Sequence, residues 1–425
     1  MRSRAKLLSA AVAAVALLAS CSSGTGEQMT EVRRASGAVE DARDLLFTEQ
    51  GVDLSAVDAS TGEQVFDASR AVTSPDHSKL FSEKRRTDRA FVSMLDSSTG
   101  ARLGRMRVAE HLEPRVASTS GDLLALAEPH EAGATPWLPA GSRRTEIAVV
   151  STGNGATRAY NLKGNFEIEA FSTDDRQLFL LEYRPALNPT RYTLRRLKLG
   201  SGDVIPIKRS KQNAPGSMLG TGRIALFSPS GHELYTLYTQ QGPNYAHGDD
   251  GTHNHDAGAV HAFVHLLNLE GAWTHCIDLP MPFGTGAVTT HALAMTADGT
   301  RLYVADPSSG GVAVIDPNRA KVLESVTMDL DALTKGDASA QVGSDGTLYL
   351  AGGSHVLALD GRTLEPVQRW EMSERVSGLA VSSDGARLYL AVRNRVNVVD
   401  STTGHRIDVI RARGITGISH LSPTN

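Results

Sequence analysis

The 425-residue chain carries 43 Lys and Arg against 47 Asp and Glu, a formal charge of −4. It therefore lacks the basic excess that would point to a nucleic-acid backbone as partner. Its two cysteines, Cys21 and Cys276, exclude a disulfide framework, so stability has to come from a packed core.

In chain order, MRSRAKLLSAAVAAVALLASCSS places Arg2, Arg4 and Lys6 before the apolar run Leu7–Leu18, followed by Leu18-Ala19-Ser20-Cys21. This is the layout of an export signal over residues 1–20. The run is shorter than the roughly 18 residues a transmembrane helix needs. The layout resembles a bacterial lipoprotein signal, which implies that Cys21 receives lipid and anchors an exported chain to the extracytoplasmic face of the cell membrane. Without the three basic residues of the signal, the balance is 40 basic against 47 acidic, or −7. Residues 21–43 are rich in Ser, Gly and charge and read as a flexible tether. Residues 44–425 are long for one compact domain unless the chain repeats.

It does repeat. LAMTADGTRLYVADPSSGGVAVIDPNRAKVLESV from Leu293, AQVGSDGTLYLAGGSHVLALDGRTLEPVQRW from Ala340 and LAVSSDGARLYLAVRNRVNVVDSTTGHRIDVI from Leu379 align. Each reads as four strands, a to d: an apolar strand, an Asp-Gly turn, a Leu-Tyr strand, an alternating strand, a polar turn and a last strand. Asp-Gly between apolar runs marks a hairpin, because glycine tolerates the positive φ the turn needs. Worn copies of the a–b turn stand at Ser74-Pro75-Asp76-His77, Ser120-Gly121, Asp174-Asp175 and Ser230-Gly231, giving seven in all against eight c–d hairpins. The first unit begins with strand b at Leu45-Leu46-Phe47, and Ile415-Thr416-Gly417-Ile418-Ser419-His420 aligns with Val376-Ser377-Gly378-Leu379-Ala380-Val381 as its missing strand a. The expected fold is all-β, a propeller of eight four-stranded antiparallel blades closed by the C-terminal strand; seven blades is the alternative.

At residues 302–306 (Leu-Tyr-Val-Ala-Asp) and 312–317 (Val-Ala-Val-Ile-Asp-Pro) the chain resembles the YVTN (YncE-like) repeat proteins. The resemblance is clear over 291–326 and 377–410 and looser over 338–370. It implies an exported bacterial β-propeller and carries over no catalytic residue.

In such a ring the a–b and c–d turns share one face, and the b–c and d–a connections share the other. The long connections are expected at 83–90, 128–145, 184–191 and 239–262 (b–c) and at 105–114, 208–222, 280–290 and 327–337 (d–a). Long loops on a rigid scaffold are the usual seat of binding. The largest, YAHGDDGTHNHDAGAVHAFVH at 245–265, holds five of the fourteen histidines. His247, His253, His255 and Asp256, with His291 at the start of the next blade, could ligate zinc, or copper or nickel. No finger or HExxH spacing supports this, and an ordinary polar loop is the plainer reading. Lys84, Arg85, Arg86, Arg143, Arg144 and Arg191 fall on the same face and could meet an anionic polymer or lipid head group; an ordinary solvated rim is the alternative.

The function expected is thus a membrane-anchored, monomeric binding module for an envelope protein, polymer or small ligand, with zinc handling by the 245–265 loop as a second reading. A third is a metal-assisted lyase or hydrolase, since some bacterial propellers, such as streptogramin lyases, are catalytic with a histidine and a metal. His255 and His291 would then be the place to look. No nucleophile elbow or assignable acid–base pair supports catalysis.

Overall fold

The computed structural model describes residues 43–86, 89–129, 132–135, 138–209, 217–218, 221–239, 262–287 and 290–424. The expected signal and the tether up to residue 42, with Cys21, lie outside them, while Arg43, expected to end the tether, already begins a strand. His247, His253, His255 and Asp256 also lie outside the described residues.

Eight sheets built on four antiparallel strands follow one another along the chain, and each is a blade; a ninth, two-stranded sheet, Ala132–Thr135 with Leu138–Pro139, lies in the b–c connection of blade three. Closure is as expected. Gly417–Thr424 lies against Arg43–Gln50 as strand a of blade one, with Arg43 opposite Thr424 and Leu46 opposite Leu421; Asp53–Asp58 and Gln64–Ala68 complete that sheet. Neighbouring a strands touch at six of the eight blade junctions, which places them innermost.

The core sits between blades and is organised by strand b. Leu46-Phe47, Leu80-Phe81, Leu178-Phe179, Leu234-Tyr235, Leu302-Tyr303, Leu348-Tyr349 and Leu388-Tyr389 are all buried. Tyr303 of blade six shares a core with Ala340, Leu359 and Leu364 of blade seven, and its hydroxyl donates to Gly361 O at 2.7 Å. Tyr349 packs in the same way with Leu388 and Val399 of blade eight, and Tyr389 with Leu46 and Val57 of blade one. Burying one such ring contributes roughly 1.5–3 kcal/mol, so each blade is held chiefly by its neighbour.

The turns repeat one device. Ser74, Ser172, Thr296 and Ser382 each donate a hydroxyl to the aspartate two residues on at 2.5–2.6 Å, and each accepts the backbone N–H five residues on at 2.9–3.1 Å. The next position has positive φ. Glycine fills it at 299 and 385, and His77 and Asp175 fill it at φ 57° and 56° in the worn copies. In the c–d turns Asp58, Asp96, Asp360 and Asp400 each accept two backbone N–H groups at 2.7–3.1 Å.

Several connections differ from expectation. In blade two, strand b runs to Arg86 and strand c begins at Arg89, so Lys84 and Arg85 are ladder residues and not loop residues. Strand d of that blade reaches Val108, which shortens the d–a connection to 109–112. Lys208–Arg209, expected in a loop, pairs in parallel with Trp273–Thr274 and covers the outer edge of blade five. The connection 328–338 folds a short 3-10 turn, Asp331–Leu333, with Leu330 and Leu333 buried. Cys276 is a buried core residue.

At the seam of blades one and two, the His420 ring stacks on Phe47 at 4.2 Å and meets His77 at 4.2 Å. Burial first, and then the His77 charge, push the His420 pKa down from 6.5 to about 3; burial also lowers that of His77. The unfolded chain takes up these protons near pH 6.5 and the folded chain resists them, so stability falls as pH drops from about 6.5 towards 3. His420 alone should cost about 2 kcal/mol by pH 5. A His420→Phe chain should lose that much less stability between pH 7 and 5, read from urea midpoints; parallel slopes would show that the ring is not responsible.

Candidate functional site

The two faces of the ring differ. On the short-turn face, the a–b turns of blades two, three and five meet. Thr119 Oγ1 donates to Gly231 O at 3.3 Å, and Ser120 Oγ donates to Asp175 Oδ2 of blade four at 3.1 Å. Gly231 has φ 69°, and a β-carbon there would lie 2.8 Å from Thr119 Cγ2 and 3.6 Å from Pro75 Cβ. Residues of non-adjacent blades two and five can approach this closely only if the turns close over the ring axis. The described part of the other face carries the longer connections.

On that loop face, blades two to four build a cleft of about 560 Å³, lined by Arg85, His111, Glu128, Gly141, Arg144 and Phe166 among others. Its wall is sutured across blades: Ser142 N donates to Ala186 O at 2.9 Å, and Asn165 Nδ2 donates to Ala140 O at 2.9 Å and Ala186 O at 3.2 Å. Beneath it lies an ion network. The two oxygens of Glu113 receive Arg70 and Arg115, each at 2.9 Å; Arg85 Nε lies 2.8 Å from Glu83, whose side chain is fully buried. Arg115 Nη2 donates to the backbone O of Glu128 at 2.7 Å.

The basic set is distributed as follows. Lys84 and Arg85 sit on strand b of blade two (Lys79–Arg86), Arg143 and Arg144 at the start of strand c of blade three, and Arg191 at the start of strand c of blade four (Arg191–Lys198); all five are exposed. Arg86 ends its strand, and its side chain is outside the described residues. Arg85 is clamped by Glu83 and Arg184 by Glu182 at 2.9 Å, so the arc is interleaved with acid.

His291 stands just before strand a of blade six (Ala292–Met295), 2 % exposed, with Nε2 3.1 Å from Asp306 Oδ2. Asp306 also accepts Gly284 N–H at 2.9 Å and the Ser308 hydroxyl at 2.7 Å. Burial would raise the Asp306 pKa, but His291 and these two donors outweigh it and hold the carboxyl well below the usual range. His291 is thus enclosed in the wall, away from the cleft of blades two to four. Sequence reasoning missed Asp306 as its partner, although a signal exists: Leu302-Tyr303-Val304-Ala305 ends in Asp306 where the sister strands end in Gly352 and Val392. It also missed Glu128 and Glu146, which approach His111 from separate segments.

No protein-family model matches the chain, and no curated protein matches it in sequence. Its fold is similar to that of solved structures. Apo AztD from Citrobacter koseri is 10 % identical at a TM-score of 0.54, and a second Citrobacter koseri AztD structure is 11 % identical at 0.55; each match covers 90 % of this chain and 98 % of the other. The dihydro-heme d1 dehydrogenase NirN in complex with DHE is 14 % identical at 0.52, over 90 % of this chain and 75 % of its own. At these identities the likeness shows the fold alone. The chain is a β-propeller like these, and the narrower YVTN affiliation finds no family match.

Removing the Asp306 carboxylate would take the 3.1 Å partner from the buried His291 and the acceptor from the Gly284 N–H and the Ser308 hydroxyl. Asp306→Ala should destabilise the chain by about 3–5 kcal/mol in equilibrium urea unfolding. A loss below about 1 kcal/mol would show that the pair does not hold the wall.

Proposed function

We infer that the chain is an exported, lipid-anchored β-propeller that works as a binding module, holding an envelope ligand or partner protein on its b–c and d–a loop face. The observation that carries this reading is the asymmetry of the ring. One face is made of short capped turns that close on one another, and the other bears the longer connections and a 560 Å³ cleft lined by charged groups. Loops and clefts on a rigid scaffold are where recognition sits. The exposed Lys84, Arg85, Arg143, Arg144 and Arg191 on this face suit an anionic group on the partner.

A second reading, zinc capture by the 245–265 loop, is supported by the density of imidazole and carboxylate there. His247, His253, His255 and Asp256 supply the donor types zinc takes.

Photo-crosslinking in cells separates the faces. A crosslinker at Arg143 or Arg191 should give adducts, and one at Thr99 or Thr402 in the c–d turns should give none; equal labelling from both faces would sink the loop-face reading. Cys21→Ala should move the chain from the membrane fraction to the soluble fraction.

A further inference from the structure

We propose that His111, Glu128 and Glu146 form a binding site for a zinc-type divalent cation in the cleft of blades two to four, built from the scaffold and separate from the 245–265 loop. One ligand atom from each of the three lies within 4.8 Å of the others. The residues reach this point from three segments. His111 comes from the 109–112 connection, Glu128 follows strand b of blade three (Leu123–Ala127), and Glu146 lies on strand c (Arg144–Ser151).

The ladder itself supplies the argument. Ala127 closes the ladder opposite Ile147, and Glu128 and Glu146 are the residues next beyond that pair, with a carboxylate oxygen of each within 4.8 Å of the other. Like charges this close repel. Here a third group is brought to them: His111 Nε2 lies 3.2 Å from Glu146 Oε2. The imidazole is placed by its neighbour, because Leu112 is 1 % exposed and its N–H donates to Ala109 O at 3.2 Å, which fixes the tight turn. Glu128 is fixed through its backbone O by Arg115. A cation between the carboxylates turns their repulsion into attraction.

One imidazole and two carboxylates match zinc and its first-row neighbours and suit magnesium poorly, since magnesium prefers an all-oxygen shell that keeps several waters. Three protein ligands leave further positions open to the cleft, as in zinc sites that take an exogenous ligand. Arg85 and Arg144 line the same cleft, so the group favoured there is an anionic one, a carboxylate or phosphate. This deepens the loop-face reading by naming a ligand class for its cleft, and it does not depend on the loop histidines.

The test is calorimetric titration of the full chain with Zn²⁺ in chelator-free buffer. It compares the native chain, Glu128→Gln/Glu146→Gln, His111→Ala and His253→Ala/His255→Ala. One zinc equivalent should be lost, or weakened more than about 100-fold, in both triad variants, a larger effect than losing an outer-shell partner. It should persist in the loop variant. Without metal, Glu128→Gln/Glu146→Gln should melt at or above the native temperature, because the repulsion is gone, and Zn²⁺ should raise the melting temperature of the native chain only. Identical zinc stoichiometry in the native and triad chains, or loss of all zinc in the loop variant alone, would overturn the site. Crosslinking confined to the loop face would still stand in that case, so the two failures are distinguishable.

Discussion

The structure depends on one strand pairing. Gly417–Thr424 hydrogen-bonds to Arg43–Gln50, and without it the ring would end in two open sheet edges and an unfilled interface beside Tyr389. Open edges invite pairing with other chains, and closure removes the ends of the ring. With the strands of each blade antiparallel, the a–b and c–d turns fall on one face and the described b–c and d–a connections on the other. The cleft, the ion network beneath it and the capped turns opposite follow from that alternation.

Much of this was legible in the chain. The Asp-Gly turns are visible because a positive φ restricts the residue types, and the flanking Ser or Thr reflects the hydroxyl-to-carboxylate bond that holds each turn. The same bond explains why worn copies still fold: His77 and Asp175 tolerate the conformation once Ser74-Asp76 and Ser172-Asp174 are in place. The hydroxyl of Thr296 holds the Asp298 pKa down at about 2, and that of Ser382 holds Asp384 below the usual range, so these caps stay charged in mildly acid surroundings.

What escaped was tertiary. Glu83-Lys84-Arg85-Arg86 reads as a loop because charge runs usually are loops, yet a hairpin can extend its ladder with charged residues when the buried one, Glu83, finds an arginine partner. Lys208–Arg209 joins blade five in parallel, a pairing no local pattern announces. His111, Glu128 and Glu146 are spread over 36 positions of chain and meet only because strand register and a tight turn bring them together. His291 shows the converse: its neighbourhood on the ring was foreseeable, but its burial against Asp306 was not.

The closing pair has a consequence in time. Gly51 N donates to Thr416 Oγ1 at 3.1 Å across 365 residues. At translation speeds of about 5–20 residues per second, the partner of the first strand emerges roughly 20–70 s after it. Throughout that interval Leu46 and Phe47, buried in the finished ring, lack their closing strand. The nascent chain therefore runs a prolonged risk of wrong pairing at its first strand, and completion of the ring is a late, non-local event of the kind that slows folding.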